Sequence, residues 1–248
     1  NPTFCKHKNL KAIILAAGRG SRMKLLTDEI PKCLVKLRGK SLLDWQLSAL
    51  RTAGITDIAI VTGYRRDLLA KYNLVEFYNS RWADTNMVTS LSCADSWLRE
   101  SPCIVSYSDI FYGSDAIQSI MKVSARLAVS YDPNWFKLWN RRFVDPLSDA
   151  ETFLIGEDGK LIEIGNKPTS VDQIQGQFMG ITFFTPDGWK EFNFVRSSLN
   201  QGLADQMHMT GSLQGVIEAD NISILGVPYE REWGEVDSES DLLLYEKF

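Results

Sequence analysis

Apolar runs and amphipathic stretches alternate along the first half of the chain. Lys11-Ala-Ile-Ile-Leu-Ala-Ala17 is apolar after its first residue and stops at Gly18. Such a run predicts a parallel strand covered on both faces. Ser41 to Ala53 carries Leu42, Leu43, Trp45, Leu47 and Leu50 on one broad helical face, and Gly54 ends it. Further strands are expected over Asp57–Thr62, Leu74–Tyr78, Cys103–Tyr107 and Ala125–Tyr131, with helices over Arg66–Tyr72 and Asn86–Leu98. Strands that alternate with helices imply βαβ crossovers, hence an α/β fold with a mostly parallel sheet and helices on both faces.

The pattern changes after Tyr131. Residues 133–150 are aromatic and charged with weak periodicity. Glu151–Ile155 and Leu161–Ile164 flank the turn Glu157-Asp-Gly-Lys160 and read as a hairpin. A strand over Gln177–Phe184, helices over Asp187–Leu199 and Gln206–Glu218, a strand over Ile222–Val227 and a closing helix after Asp237 complete the expectation. No repeat or linker divides the chain, so 1–248 reads as one domain, with a first half (10–130) and a second half (131–248) that carries a small β-rich lobe.

Hydrophobic residues are 44% and charged residues 23%, which excludes a disordered chain, a collagen-like repeat and a disulfide miniprotein. Twenty-seven Lys and Arg against 31 Asp and Glu leave a charge of −4. No basic excess points to a nucleic-acid partner. Cys5, Cys33, Cys93 and Cys103 form no CxxC, and two histidines make no zinc set. Free, mostly buried thiols in a reducing, cytoplasmic setting are expected. No apolar run approaches the roughly 18 residues of a membrane span, so no membrane insertion is expected. No secretory pattern opens the chain, and a first residue of Asn1 suggests a trimmed end or a removed neighbouring domain.

The candidate chemistry starts at Leu15-Ala-Ala-Gly-Arg-Gly-Ser-Arg-Met23. A dinucleotide fingerprint would need a glycine where Met23 stands. A Walker A loop would need one at Leu34, ahead of Gly39-Lys40-Ser41, so that match is a decoy and Gly39 reads as a turn. What remains is a loop of small residues that lets the backbone approach a nucleotide, with Arg22 suited to its phosphates. An ordinary turn with a surface arginine is the competing reading.

The longer string decides between them: Leu15-Ala-Ala-Gly-x-Gly-Ser-Arg22, Thr27, Pro31-Lys32 and Gly39-Lys-Ser-Leu-Leu43. Over nearly its whole length the chain resembles the sugar-phosphate nucleotidylyltransferase superfamily. Asn86-Met-Val-Thr-Ser-Leu91 and Gly234-Glu-Val-Asp237 make it similar to the small cytidylyltransferases of the phosphocholine cytidylyltransferase type. The resemblance implies a Rossmann-like, nucleotide-diphospho-sugar transferase-like fold whose first half binds the nucleotide and whose second binds the acceptor. It implies that Leu15, Ala16, Ala17, Gly18, Gly20 and Ser21, with Asn86 and Ser90, bind CTP. Arg22 and Lys32 would act on its phosphates, and Asp109 and Asp237 would hold Mg²⁺, with Glu235 a weaker metal candidate. Asp237 also reads as a helix cap. Lys167 would meet the acceptor phosphate, although Asn166 replaces the glutamate usual before it, and Gly180 would let backbone pass close to the acceptor.

Tyr131, Trp135, Phe136, Trp139 and Phe143 lie beside Arg141, Arg142, Asp149 and Glu151. Tyr131, Trp135, Trp139 and Glu151 are therefore candidates for an acceptor site: aromatic rings can cage a quaternary ammonium, and the cations and carboxylates, Asp132 among them, would suit a zwitterion such as an amino-acid-like or aminoalkyl phosphate or phosphonate. A packed lid is the plainer reading of the same rings. The expected partners are CTP and a small phosphorylated acceptor: phosphocholine, phosphoethanolamine, a phosphorylated amino-acid amide or an aminoalkylphosphonate. A homodimer is left open. Competing functions are a sugar-1-phosphate uridylyl- or thymidylyltransferase and a non-catalytic nucleotide-binding module.

Overall fold

Lys11–Ala16 forms the expected strand, with a parallel neighbour on each side, Cys103–Tyr107 and Ile58–Thr62. The computed structural model describes residues 7–248; Cys5 lies outside them. The main sheet has seven strands in the order Ile224–Pro228, Leu127–Asp132, Gln177–Phe184, Cys103–Tyr107, Lys11–Ala16, Ile58–Thr62, Val75–Tyr78. Gln177–Phe184 runs antiparallel to both of its neighbours, and the other six strands point one way. That strand comes from the second half and pairs with one from the first, so a single sheet spans both.

Alternate residues of each strand enter opposite cores. Ala12, Ile14 and Ala16 pack with Ile58, Ile60 and Ile104 under Leu43, Leu47 and Leu50 of the helix Leu42–Thr52. Ile13, Leu15 and Ala17 pack with Val61 and Val105 under Val88, Leu91, Phe192 and Leu213. The helical layer on each face explains the unbroken apolar reading of the strands. The hairpin Phe153–Ile155 with Leu161–Ile164 is a separate pairing whose Phe153, Leu161 and Ile164 pack into the second core.

Several expected elements differ in detail. Asn86–Leu98 is two helices, Met87–Ser92 and Asp95–Glu100. Ser92 Oγ and Cys93 Sγ donate to the carbonyls of Val88 and Thr89, which competes with the helical ladder where it breaks. Gln206–Glu218 is also divided, into Gln201–Gln206 and Met209–Ala219, because Met207 and His208 are extended. Arg66–Tyr72 is a 3₁₀ helix. The weakly periodic 133–150 holds an α-helix, Trp135–Arg142, whose last turn carries Arg141 and Arg142. Two short pairings lacked any sequence expectation. Lys36–Leu37 meets Lys40–Ser41 around Arg38 and Gly39, both at positive φ, which confirms the turn reading of Gly39. Trp233–Glu235 pairs antiparallel with Ile110–Tyr112.

A third apolar cluster joins these pieces at one end of the sheet. Met23, Val35, Leu37, Leu42, Phe111, Val236 and Tyr245 pack together. The glycine loop, the small hairpin and the closing segment are thereby fixed to one another.

Cys33, Cys93 and Cys103 are free; the first and last are buried, and burial pushes both thiols up to about 12. At pH 8 such thiols stay protonated and inaccessible. Alkylation of the folded protein at pH 8, read by peptide mass spectrometry, should spare Cys33 and Cys103 and modify both after unfolding. Rapid labelling of either in the folded state would contradict this packing.

Candidate active site

The glycine loop leaves the carboxyl end of the first strand and is shaped by local constraints. Gly20 has φ +73°, a left-handed conformation that suits glycine. A Cβ there would lie 2.8 Å from the Cβ and Cδ of Lys32, so Gly20 also clears a path for the lysine stem. Thr27 Oγ1 donates to the Gly20 carbonyl at 2.9 Å, and the Met23 N–H donates to the same oxygen at 3.0 Å. Fully buried Met23 plugs the loop into the third cluster. The residue that disqualifies a dinucleotide fingerprint is therefore the anchor of a different loop.

Pro31 (φ −67°, ψ 151°) leads into a 3₁₀ turn that begins with Lys32. The buried Lys32 ammonium donates to Asp109 Oδ2 at 3.0 Å and to Asp237 Oδ1 at 2.7 Å. Asp109 follows the strand Cys103–Tyr107, at the sheet edge where open α/β folds bind ligands. Asp237 arrives through the pairing of Trp233–Glu235 with Ile110–Tyr112, which the Val236 N–H extends by donating to the Asp109 carbonyl at 2.8 Å. Arg22 Nη2 also donates to Asp237 Oδ1, at 3.1 Å, from an exposed side chain. The cap reading of Asp237 falls to its neighbour: Ser238 caps the helix Glu239–Tyr245.

Asp109, Glu235 and Asp237 offer oxygens that all lie within 4.8 Å of one another. Burial opposes the charge on Lys32, but the two aspartates outweigh it and raise the lysine above its ordinary value. Burial likewise pushes the Asp237 carboxyl up, yet Lys32 and Arg22 hold it below the usual range. Glu235 goes the other way: burial, then the charges of Asp237 and Asp109, push it far up against the pull of Arg142. Hard carboxylate oxygens at this spacing fit a divalent cation. Arg142 approaches from behind, its side chain wholly buried. Arg142 and Asp241 were absent from the sequence-based candidates. The available signal was helical: Trp135, Leu138, Trp139 and Arg142 share one face, so Arg142 continues a buried stripe.

Beside this cluster is a cleft of about 280 Å³ lined by Leu15, Ala17, Gly18, Gly20, Arg22 and Lys32 on one side. Trp82, Asn86, Ser90, Tyr107, Asp109 and His208 also line it. Ala16 points into the opposite core, so only its main chain faces this end. Ser21 is exposed at the start of the 3₁₀ turn and is not among the lining residues. Asn86 begins a helix as the plainer reading held: its Oδ1 accepts from Val88 and Thr89 N–H, and its Nδ2 donates to the Met207 carbonyl. Ser90 Oγ accepts from the buried Asn79 at 3.0 Å. Asn79, Trp82, Tyr107 and His208 are lining or supporting residues without a sequence motif to mark them.

The aromatic region separates from the cleft. Trp135 and Trp139 are each 3% exposed and belong to the core. Their indole N–H groups donate to the Ile174 carbonyl and to Asp149 Oδ2, and Trp139 packs on Trp135 and Trp233. The expected cage does not form from them: their faces are covered by neighbouring rings. Tyr131 is half-buried against Phe153, on the other face of the sheet. Glu151 accepts from Thr210 Oγ1 at 3.2 Å, and its backbone is held by Gln177. Burial pushes its carboxyl up. Gly180 has φ +90° and lies against the Tyr107 ring, which a Cβ would meet at 2.7 Å. Lys167 is exposed, next to Asn166, whose main chain pairs with Thr152.

The MobA-like NTP transferase domain matches residues 12–152. A CTP:phosphoglutamine cytidylyltransferase from Campylobacter jejuni is 36% identical over 94% of this chain and 98% of its own length. A choline-phosphate cytidylyltransferase from Streptococcus pneumoniae is 29% identical over 94% of this chain and 95% of its own. The solved inositol-1-phosphate CTP transferase from T. maritima matches with a TM-score of 0.77 over 97% of both chains at 18% identity, a likeness of fold.

Gly18 and Gly20 should separate in a mutational test. A Cβ on Gly18 meets nothing within 4 Å and would project into open space beside the cleft, whereas Gly20 has both strain and a clash. Gly20→Ala should lower the melting temperature by several degrees, since a left-handed non-glycine residue costs roughly 1–2 kcal/mol. Gly18→Ala should melt like the parent and weaken only nucleotide binding, as followed by thermal denaturation and calorimetric titration. Equal stability losses in both variants would refute this account of the loop.

Proposed function

The chain belongs to the MobA-like NTP transferase family, and from that premise we propose that it transfers the cytidylyl group of CTP to the phosphate or phosphonate of a small acceptor, with release of diphosphate. The observation that carries this reading is the Lys32 ammonium clamped between Asp109 and Asp237, at the rim of a cleft bounded by the glycine loop. An acceptor oxygen attacks the α-phosphorus as the bond from that phosphorus to the bridging oxygen breaks, and diphosphate leaves with the electron pair. Negative charge moves toward the leaving group, where Lys32 and exposed Arg22 can follow it. A phosphate monoester with a second pKa near 6 is already dianionic at neutral pH, so positioning takes the place of a general base.

Asp109, Glu235 and Asp237 are the residues that would hold Mg²⁺. When bound, such an ion neutralises phosphate charge and orients the triphosphate. The main chain of Leu15 to Gly20 is assigned to the nucleotide, with Ser90 and the Asn86 backbone at the base end. A reaction that consumes CTP and a sequence of free, reduced thiols support a cytoplasmic setting.

The acceptor side favours a polar amide over a quaternary ammonium. The two tryptophans best suited to a cationic cage are core residues. Glu151 is bonded instead to Thr210 and, through its backbone, to the Gln177 amide, and His208 lines the cleft. A phosphorylated amino-acid amide of the glutamine kind is therefore the first acceptor, with Lys167 and the Gly180 backbone on its phosphate side. The likeness to the Campylobacter relative over the full chain supports the same choice.

Diphosphate release measured across four nucleoside triphosphates and a panel of acceptors tests this directly. CTP with phosphorylated glutamine should outpace phosphocholine, phosphoethanolamine and aminoethylphosphonate, with a CDP-linked product of matching mass. Turnover with UTP or dTTP and a sugar-1-phosphate alone would defeat the cytidylyl assignment. Lys32→Ala should lower kcat by about 10²–10³-fold or more with the circular dichroism spectrum retained. Parent-like turnover in that variant would remove Lys32 from the mechanism.

A further inference from the structure

Arg142 is the buried cation farthest from the cleft that still reaches its carboxylates. Its Nε and Nη2 donate in parallel to Asp241 Oδ1 and Oδ2, at 2.9 and 3.0 Å. Its Nη1 donates to Glu235 Oε2 at 3.2 Å, and Nη2 stands 3.8 Å from Asp237 Oδ2. Asp241 Oδ2 also accepts the Asp237 backbone N–H at 2.9 Å. Both acidic residues of the closing strap are thus held from behind, one by its side chain and one by side chain and backbone together. The guanidinium is itself packed within cation–π distance of the rings of Trp139 (5.0 Å) and Phe143 (4.8 Å). A planar five-donor fork suits this task; an ammonium could serve one of the three carboxylates well but not all.

We infer that Arg142, anchored by Asp241, is a positioning residue that sets the spacing of Glu235 and Asp237 for the divalent cation of the transfer reaction. The inference deepens the function proposed above and rests on it. Arg142 is not among the residues that line the cleft. It neutralises the strap carboxylates on the side away from the cleft and leaves their other oxygens toward Asp109. It also links the helix Trp135–Arg142 of the second half to the cation site, so the two halves share one charge network. Groups that orient metal ligands commonly govern affinity by tenfold or more.

Arg142→Lys and Asp241→Asn test the inference, with the Mn²⁺ dissociation constant read by electron paramagnetic resonance and the Mg²⁺ activation constant read from rates. Each variant should weaken Mn²⁺ binding and raise the Mg²⁺ constant by about tenfold or more. The KM for CTP at saturating Mg²⁺ should stay within about twofold. The double variant should show little more than either single one, because the two residues act as a unit. A lowered melting temperature with parental Mn²⁺ and Mg²⁺ constants would assign Arg142 a purely structural role and overturn the inference. Failure of Arg142→Lys to fold leaves Asp241→Asn, which keeps the guanidinium and removes one anchor charge, to give the same reading. A parent protein that binds no Mn²⁺ would overturn the metal assignment and this inference together; a parent that binds it while both variants match would overturn only the inference.

Discussion

The contact of the Lys32 ammonium with Asp109 and Asp237 is the constraint to which the rest of this end of the molecule is fitted. A lysine with a 9% exposed side chain is costly unless it is paired. Its pairing needs three separate pieces of backbone to meet. Gly20 must lack a Cβ for the stem to pass, Pro31 must aim the turn, and the strap 233–237 must run beside Ile110–Tyr112. The Met23 cluster holds all three to the sheet. Catalytic geometry here is a consequence of packing at one sheet edge, not of any single motif.

Three cations meet four acids at this end of the molecule, Asp241 being the fourth. Two carboxylates about 4.8 Å apart repel by about 3–4 kcal/mol at an effective dielectric constant near 20. Lys32 sits between Asp109 and Asp237, Arg22 adds an exposed contact to Asp237, and Arg142 meets Glu235 and Asp237 from the buried side. The two buried cations compensate the acids within the protein, whereas Arg22 does so from a side chain that is 70% exposed.

Much of the parallel sheet was legible because strands covered on both faces read as unbroken apolar runs, as Lys11–Ala16 and Ile58–Thr62 do. The glycine loop and Lys32 were legible through a string whose residue types are dictated locally. Elements of two or three residues left no periodic trace, so the pairing of Trp233–Glu235 with Ile110–Tyr112, which delivers Asp237, was invisible although Asp109 and Asp237 were both candidates. Arg142 and Asp241 were missed for a related reason. Neither belongs to a motif, and a buried arginine in a sequence looks like a solvated one until its partners are known. Hydroxyl competition for carbonyls broke the helix expected over Asn86–Leu98, an effect that apolar periodicity does not register.

The tryptophans show how the same composition serves two purposes that only packing distinguishes. Rings near arginines and carboxylates satisfy the composition of a cationic cage, yet Trp135 and Trp139 are buried, send their N–H groups to Ile174 and Asp149 and meet edge to face, with Trp139 tilted against Trp233. A cage needs at least one ring face open to its ligand, and a core needs none. Once those faces are closed, the aromatic segment becomes the wall that buries Arg142, with Trp139 and Phe143 beside the guanidinium. Its influence on the reaction then passes through the carboxylates that Arg142 holds. On the other face of the sheet Glu151 exchanges hydrogen bonds with Thr210 and, through its backbone, with the Gln177 amide, an arrangement unlike a cage of rings around a methylated cation.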